Sequence, residues 1–388
     1  MPGDVAVFNL HRYDSGYDTG LREADMRILA VDVGTGTQDI LLFDSSRVVE
    51  NCVKMIMPSP TALLAERISR ATACGRAILF TGVTMGGGPS KRALQRHTGA
   101  GLPAYATPEA ALTFNDDLAV VKGMGVTIVD SSEVTGKRDT EAIDLKDLDL
   151  EAIRKALDAF GVDSRFDAVA VAVLDHGFAP PGVSNRLFRF QYLERLMMER
   201  NELAALAYLA ADLPDYLTRM KAVARTVDVE VPVLLMDTGA SAVLGALQDR
   251  EVSKRDHTVV VNMGNSHTVA FHLRGGLIQG FLEHHTNLLN GARLDDLVKR
   301  LATGTLTNSE VYEDGGHGAV VMGESHRRPF VAIAGPRQDI AAGSQMHLHR
   351  AVPHGDMMLA GCYGLVSACG LRIAAWREEI DRALSAGA

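Results

Sequence analysis

At 388 residues the chain is long enough for two domains or one large elaborated fold, since domains run to roughly 100–200 residues. Its 47% hydrophobic and 22% charged residues exclude wholesale disorder and a coiled coil. With 39 Lys plus Arg against 48 Asp plus Glu, the formal net charge of -9 offers no electrostatic footprint for nucleic acid or an anionic membrane surface.

Residues 1–26 are polar and rich in Asp and Gly, without the apolar core of a signal peptide, so a loose N-terminal extension is expected there. RILAVDV (27–33), GTGTQ and DILLFD (39–44) then read as strand, Gly/Thr turn and strand, a β-hairpin. A third strand at about 47–57, a helix at about 61–74 and the apolar strand AILFTGVTM (77–85) follow. Strand, helix and strand are expected again over 103–130, a charged, partly helical stretch over 131–165, and a core strand in DAVAVAVLDHG (167–177). Long helical stretches fill about 187–226.

The second half repeats the opening theme. VPVLLMDTG (231–239) is a strand running into the small-residue helix ASAVLGALQ, and HTVVVNMGNSHTVAFHLRGG (257–276) is again strand, Gly/Ser/Thr turn and strand. VAIAGPRQ (331–338) leads into a Gly-Pro turn, and residues 354–380 close the chain with another small-residue helix. Alternating strands and helices predict an α/β fold, and two Gly/Thr hairpins more than 200 residues apart predict two related halves.

A phosphate needs converging N–H donors with no side chain in the way, which Gly-rich turns supply. Gly34, Thr35, Gly36 and Thr37, followed by Gln38, form one such cradle, and Gly264, Asn265, Ser266 and Thr268 the other. Either alone reads more readily as a plain tight β-turn; the pair together with the connecting helices favours the cradles. Asp32 ends its strand where a carboxylate could hold Mg²⁺ through water.

Five segments in this order, over roughly 27–44 and 231–370, resemble the actin-like ATPase superfamily of actin, heat-shock chaperone ATPases and sugar kinases. AVDVGTGTQDILLFD and VVVNMGNSHTVAF resemble its two phosphate hairpins, LLMDTGASAVLGAL and GDMMLAGCYGLVSA its connecting helices, and VAIAGPRQD its adenosine turn. The resemblance implies a two-lobed, duplicated ribonuclease H-like fold: lobe I over 27–248 with an insertion at about 86–165, lobe II over 249–353, and a C-terminal helical segment over 354–388 packing back. It implies ATP and Mg²⁺ between the lobes, with adenosine over Gly335, Pro336 and Arg337. Pro336 and Asn262 depart from the family's usual Gly and Asp. Asp237 matches the sugar-kinase position that takes the acceptor's proton; N-capping of the following helix is the other reading. The chain also resembles a subfamily carrying a pyruvate formate-lyase-activating label. That label implies a Cys-x-x-x-Cys-x-x-Cys iron–sulfur motif, which is absent.

Further candidates come from position. The segment TGVTMGGGPSKR (81–92) lacks P-loop spacing, yet Lys91 and Arg92 at a helix start could hold an anionic substrate. Asp175 and His176 end a core strand, and His284 and His285 are expected near the cleft as substrate contacts. His347, His349 and His354 meet no standard zinc spacing.

The leading expectation is therefore phosphoryl transfer from ATP to a small-molecule acceptor. The alternatives are an activator ATPase acting on a partner enzyme and a non-catalytic nucleotide binder. No nucleic acid or membrane partner is expected; a homodimer is left open. Cys52, Cys74, Cys362 and Cys369 make no disulfide framework, and no stretch approaches the roughly 20 apolar residues of a membrane span, so a cytoplasmic setting is expected.

Overall fold

The computed structural model describes residues 25–130, 140–323 and 327–385; the expected extension over 1–26 lies outside these apart from its last two positions. β1 (Arg27–Val33), β2 (Thr37–Asp44) and β3 (Val53–Pro58) form an antiparallel meander, followed by α1 (Pro60–Ala73). The next elements are β4 (Ala77–Gly82), α2 (Gly88–Gly99), β5 (Ala104–Ala106), α3 (Pro108–Ala111), α4 (Leu118–Gly123), β6 (Val126–Ile128) and β7 (Thr140–Leu145). The chain continues through α5 (Leu150–Ala159), β8 (Ala168–Val173), α6 (Asn185–Glu199), β9 (Ala207–Leu209), α7 (Thr218–Arg225), β10 (Val233–Asp237) and α8 (Thr238–Ala246). β1, β8 and β10 pair in parallel, giving a sheet of order β3-β2-β1-β8-β10-β9. All six residues of β8, AVAVAV, are buried, as expected of a parallel strand covered on both faces.

The second half contains β11 (His257–Met263), β12 (His267–Arg274), β13 (Leu277–His285), α9 (Gly291–Thr303), α10 (Asn308–Glu313), β14 (Gly318–Val321), β15 (Phe330–Ala334) and β16 (Leu348–Arg350). α11 (Ala360–Arg372) and α12 (Arg377–Ser385) close the described chain. Its sheet runs β14-β13-β12-β11-β15-β16, with β11, β15 and β16 parallel. The orders β3-β2-β1-β8-β10 and β13-β12-β11-β15-β16 are one topology used twice: an antiparallel meander whose first strand pairs in parallel with a later one. This is the duplicated ribonuclease H-like arrangement of the actin-like ATPases, the fold class expected from the sequence.

β4 to β7 build a separate parallel sheet of order β6-β5-β4-β7 with its own apolar core. It begins at Ala77, ahead of the expected 86, because β4 pairs with β5 and β7 rather than with the first lobe. It ends at Leu145. α5 already buries Leu150, Ile153 and Leu157 in the first lobe's core.

The two small-residue helices α8 and α11 cross in backbone contact. A Cβ on Gly245 would overlap the Ala360 carbonyl, and one on Gly364 would overlap the Ser241 carbonyl. Small residues are thus required at the crossing between the lobes, and α8 and α11 bury nearly their whole circumference as a result. Among the described residues no helix is long and apolar enough to cross a membrane.

Candidate functional site

The two Gly-rich turns close in the same way. The Gly34 amide donates to the Thr37 carbonyl at 2.9 Å, and the Gly264 amide to the His267 carbonyl at 3.0 Å, each closing a four-residue turn between antiparallel strands. The Gly36 carbonyl accepts from the Ser59 amide at 3.0 Å, and the Ser266 carbonyl from the Thr286 amide at 2.9 Å. The Ser59 hydroxyl donates to the Thr35 carbonyl and the Thr286 hydroxyl to the Gly264 carbonyl, both at 2.8 Å. Thus the end of each third strand braces the turn of its own lobe. A Cβ at Gly264 would sit 2.7 Å from the His267 carbonyl, so that turn needs glycine on steric grounds.

The turns meet at their tips and together line one cleft of about 380 Å³. Gly34 and Thr35 line it from the first lobe; Asn262, Gly264, Asn265, Ser266 and His267 line it from the second. The inserted sheet supplies a third wall through Gly86, Gly87 and Gly88, which lead into α2, and Lys91 on its first turn. Asp175 and His176, after β8, complete the floor with Thr238 and Gly239 from the start of α8.

Gly36, Thr37, Gln38 and Thr268 support the turns without lining the cleft. The Gln38 amide side chain donates to the Pro58 carbonyl, and Thr268 is buried with its hydroxyl 3.0 Å from that of Thr286. Arg92 is exposed on α2 outside the cleft. Gly335, at φ +92°, tucks under Met263, whose carbonyl accepts from the Arg337 amide at 3.0 Å. Arg337 pairs with Asp339 in solvent, and none of Gly335, Pro336 and Arg337 lines this cleft.

Asp32 and Asp237 correct the expectation most. Asp32 is one layer below the cleft floor: it accepts from the Thr238 hydroxyl at 2.6 Å, while Gly361 of α11 lies against the same carboxylate. Burial raises its pKa to about 7, partly offset by the Thr238 hydroxyl and reinforced by the Asp237 charge. Asp39, its partner across β1 and β2, is raised to about 8 by burial and then by the Asp32 charge. Neither is placed to hold a cation in the cleft directly. Asp237 does not project into the cleft either. One oxygen caps α8, accepting from the Gly239 and Ala240 amides at 3.0 and 3.3 Å. The other accepts from Arg189 of α6 at 2.7 Å. A carboxylate so engaged is a cap and an ion-pair partner rather than a free base.

Asp175 is likewise saturated, accepting from the Gly177 and Met220 amides at 2.8 and 2.9 Å. It clamps the loop after β8 onto α7. The cleft-lining carboxylate that sequence reading missed is Asp116, which accepts from the Asn185 side-chain amide at 2.8 Å. Burial raises its pKa against that hydrogen bond.

Beside the cleft floor stands a group of His176, His267, Glu283 and His317, which the sequence gave no spacing to find. Burial first, then His317 and Arg189, hold His176 well below the ordinary histidine range, and burial, against the opposing Glu283 charge, holds His267 down at about 3. Against the opposing effect of burial, Arg189 and His317 hold Glu283 well below the carboxylate range. His285 flanks this group, its ring 4.8 Å from that of His317. His284 points the other way, its Nε2 3.3 Å from Asp314. His349 and His354 are tied separately to Asp249 and Gln248 and do not gather with other ligands.

The cysteines do not fit an iron–sulfur cluster. Cys74 is exposed after α1, Cys52 is buried before β3, and Cys362 and Cys369 are buried on α11, where Cys362 donates to the Asp39 carbonyl.

The family model described as "Putative pyruvate format-lyase activating enzyme (DUF1786)" matches residues 85–340, about two thirds of the chain. No curated protein matches the sequence. Among solved structures, a ROK family transcriptional regulator, a homologue of the E. coli MLC protein, is 9% identical with a TM-score of 0.25, over 65% of this chain and 38% of that one. An Aquifex aeolicus member of the Ppx/GppA family is 10% identical with a TM-score of 0.26, over 71% and 59%. The ROK hexokinase of Thermus thermophilus is 11% identical with a TM-score of 0.32, over 88% and 98%. The chain thus spans less than two thirds of the first two. At these scores the fold assignment rests on strand order and register, not on the likenesses.

Proposed function

The chain belongs to the family described as putative pyruvate format-lyase activating enzymes, and from that premise we propose that it binds ATP in the interlobe cleft and transfers or releases the terminal phosphoryl group. The observation that carries this reading is the matching closure of the 34–37 and 264–267 turns, which meet and line a single cleft. Phosphoryl transfer needs positioning and charge neutralisation more than covalent chemistry. Gly34 and Thr35 on one side and Gly264 to Ser266 on the other would position the phosphates, and Lys91 would supply positive charge. Mg²⁺, carried in with the nucleotide, would neutralise phosphate charge.

Acceptor activation falls to a carboxylate on the cleft wall. Asp237 and Asp175 are each held by two or more donors, whereas Asp116 holds a single neutral partner and burial raises its pKa, the direction a general base requires. Asp116 therefore replaces Asp237 as the base for a small-molecule hydroxyl. The engagement of Asp237 also favours a second reading, an activator ATPase whose hydrolysis is coupled to a partner enzyme, which agrees with the family's description.

Calorimetry with ATP and Mg²⁺, followed by turnover assays with a metabolite mixture and with candidate partner proteins, tests both. Binding plus stimulation by a metabolite supports transfer; binding plus stimulation only by a protein supports the activator. No heat with ATP overturns the nucleotide reading altogether.

A further inference from the structure

Four side chains from separate parts of the chain meet where the cleft floor adjoins the second lobe. His176 follows β8, His267 opens β12, Glu283 lies on β13 and His317 immediately precedes β14. Their candidate ligand atoms all lie within 4.8 Å of one another. Ring centroids separate by 5.2 Å for His176 and His317 and by 4.7 Å for His267 and His317.

Two of the inward atoms have only each other for a partner. Glu283 Oε1 and His317 Nδ1 are 2.9 Å apart and only 1% and 2% exposed, paired by charge and with no other hydrogen-bond partner. Buried polar atoms without well-formed hydrogen bonds are rare and costly, and here they belong to two members of one four-residue group. One carboxylate also cannot satisfy three gathered imidazoles.

We propose that His176, His267, Glu283 and His317 form a site for one divalent first-row transition cation, bound through three imidazole nitrogens and one carboxylate oxygen. An imidazole-rich set selects ions such as Zn²⁺, Fe²⁺ or Co²⁺ over Mg²⁺, which prefers oxygen ligands. Ligand atoms about 2.1 Å from a metal lie at most about 4.2 Å apart, so modest side-chain rotations contract the observed 4.8 Å group onto an ion. The supporting contacts are in place. Glu283 Oε2 accepts from Arg189 Nε at 2.8 Å, and Arg189 is itself held by Asp237, which fixes the carboxylate as outer-shell partners do. Entry is provided too, since His176 and His267 line the cleft and the other two ligands lie behind them. The cleft side of the ion is the side open to an oxygen ligand, either water or an oxyanion. This site stands independently of the nucleotide reading.

The test uses the full-length protein freed of metal, titrated with Co²⁺ in the absence of nucleotide. Visible d–d absorption saturating at one equivalent, reversed by Zn²⁺ but not by excess Mg²⁺, is expected. His267→Gln and His317→Gln should each weaken Co²⁺ binding at least about tenfold with the far-ultraviolet circular dichroism unchanged, whereas His347→Gln, exposed elsewhere, should bind as the wild type does. If His317→Gln does not fold, His176→Gln at the cleft wall reads the same property. No visible bands, displacement by Mg²⁺, or wild-type affinity in His267→Gln and His176→Gln would overturn the site.

Discussion

The hydroxyls of Thr35 and Ser266 lie 2.9 Å apart, joining the tips of two turns separated by 231 positions in the chain. The two lobes therefore meet at their Gly-rich turns as well as at the helix crossing below. Thr35→Val keeps the volume and removes the bond. Each single variant should lose about 0.5–1.5 kcal/mol of stability in urea unfolding, and a double-mutant cycle with Ser266→Ala should show a coupling of similar size. Strict additivity would mean that the turns merely abut.

Gly264→Val tests the second turn as a phosphate cradle. Its side chain would press on the His267 carbonyl and intrude on the cleft. Affinity for ATP should fall more than affinity for adenosine, as read by calorimetry on folded protein. Equal losses for both ligands would make the turn purely structural.

Arg189 bridges Asp237 and Glu283, and all three are nearly fully buried. Removing one member of a buried ion pair leaves charge uncompensated, at about 3–5 kcal/mol. Arg189→Met should accordingly cost that much in denaturant unfolding. Asp237→Asn retains a capping oxygen but loses the ion pair, so it too should destabilise, by more than the ~1 kcal/mol of a lost cap. A stability change near zero in Asp237→Asn would return that residue to candidacy as a free catalytic group.

The raised pKa values of Asp32 and Asp39 predict a pH dependence of definite sign. The folded state keeps protons on both carboxyls up to about pH 7 and 8, while the unfolded chain releases them near 3.8. Their contribution is therefore fully present below pH 4 and is lost as pH rises through about 7 to 8. Asp39→Asn should flatten this part of the stability profile and stabilise the protein at pH 8 relative to wild type. An unchanged slope between pH 4 and 8 in that variant would show that Asp39 ionises normally.

The helix crossing makes the sharpest steric prediction. Gly245→Ala or Gly364→Ala places a Cβ inside the carbonyl of the opposing helix, and forcing the helices apart should cost roughly 1–3 kcal/mol or more. Thermal melting checks this; a wild-type midpoint in both variants would show that the helices can separate freely.

The sequence alone determined the elements that local pattern specifies. The apolar runs of β1, β8 and β11 announced buried strands, and the Gly-rich turns at 34–37 and 264–267 announced two related halves. The small-residue composition of α8 and α11 marked two helices of one kind, one in each half. These are short-range properties, readable from side-chain size and spacing. Tertiary packing decided what the polar residues do. Asp237 ends its strand as expected, but whether its carboxylate met the cleft or Arg189 depended on where α6 came to rest. Asp32 sits at the expected strand end yet lies beneath Thr238, because α11 closes over it. His176, His267, Glu283 and His317 occupy no common motif; β12 and β13 pair side by side, and only the docking of the lobes brings the loop after β8 to them. Charge and ligand chemistry are set by neighbours in space, and those neighbours come from segments whose separation along the chain carries no local signal.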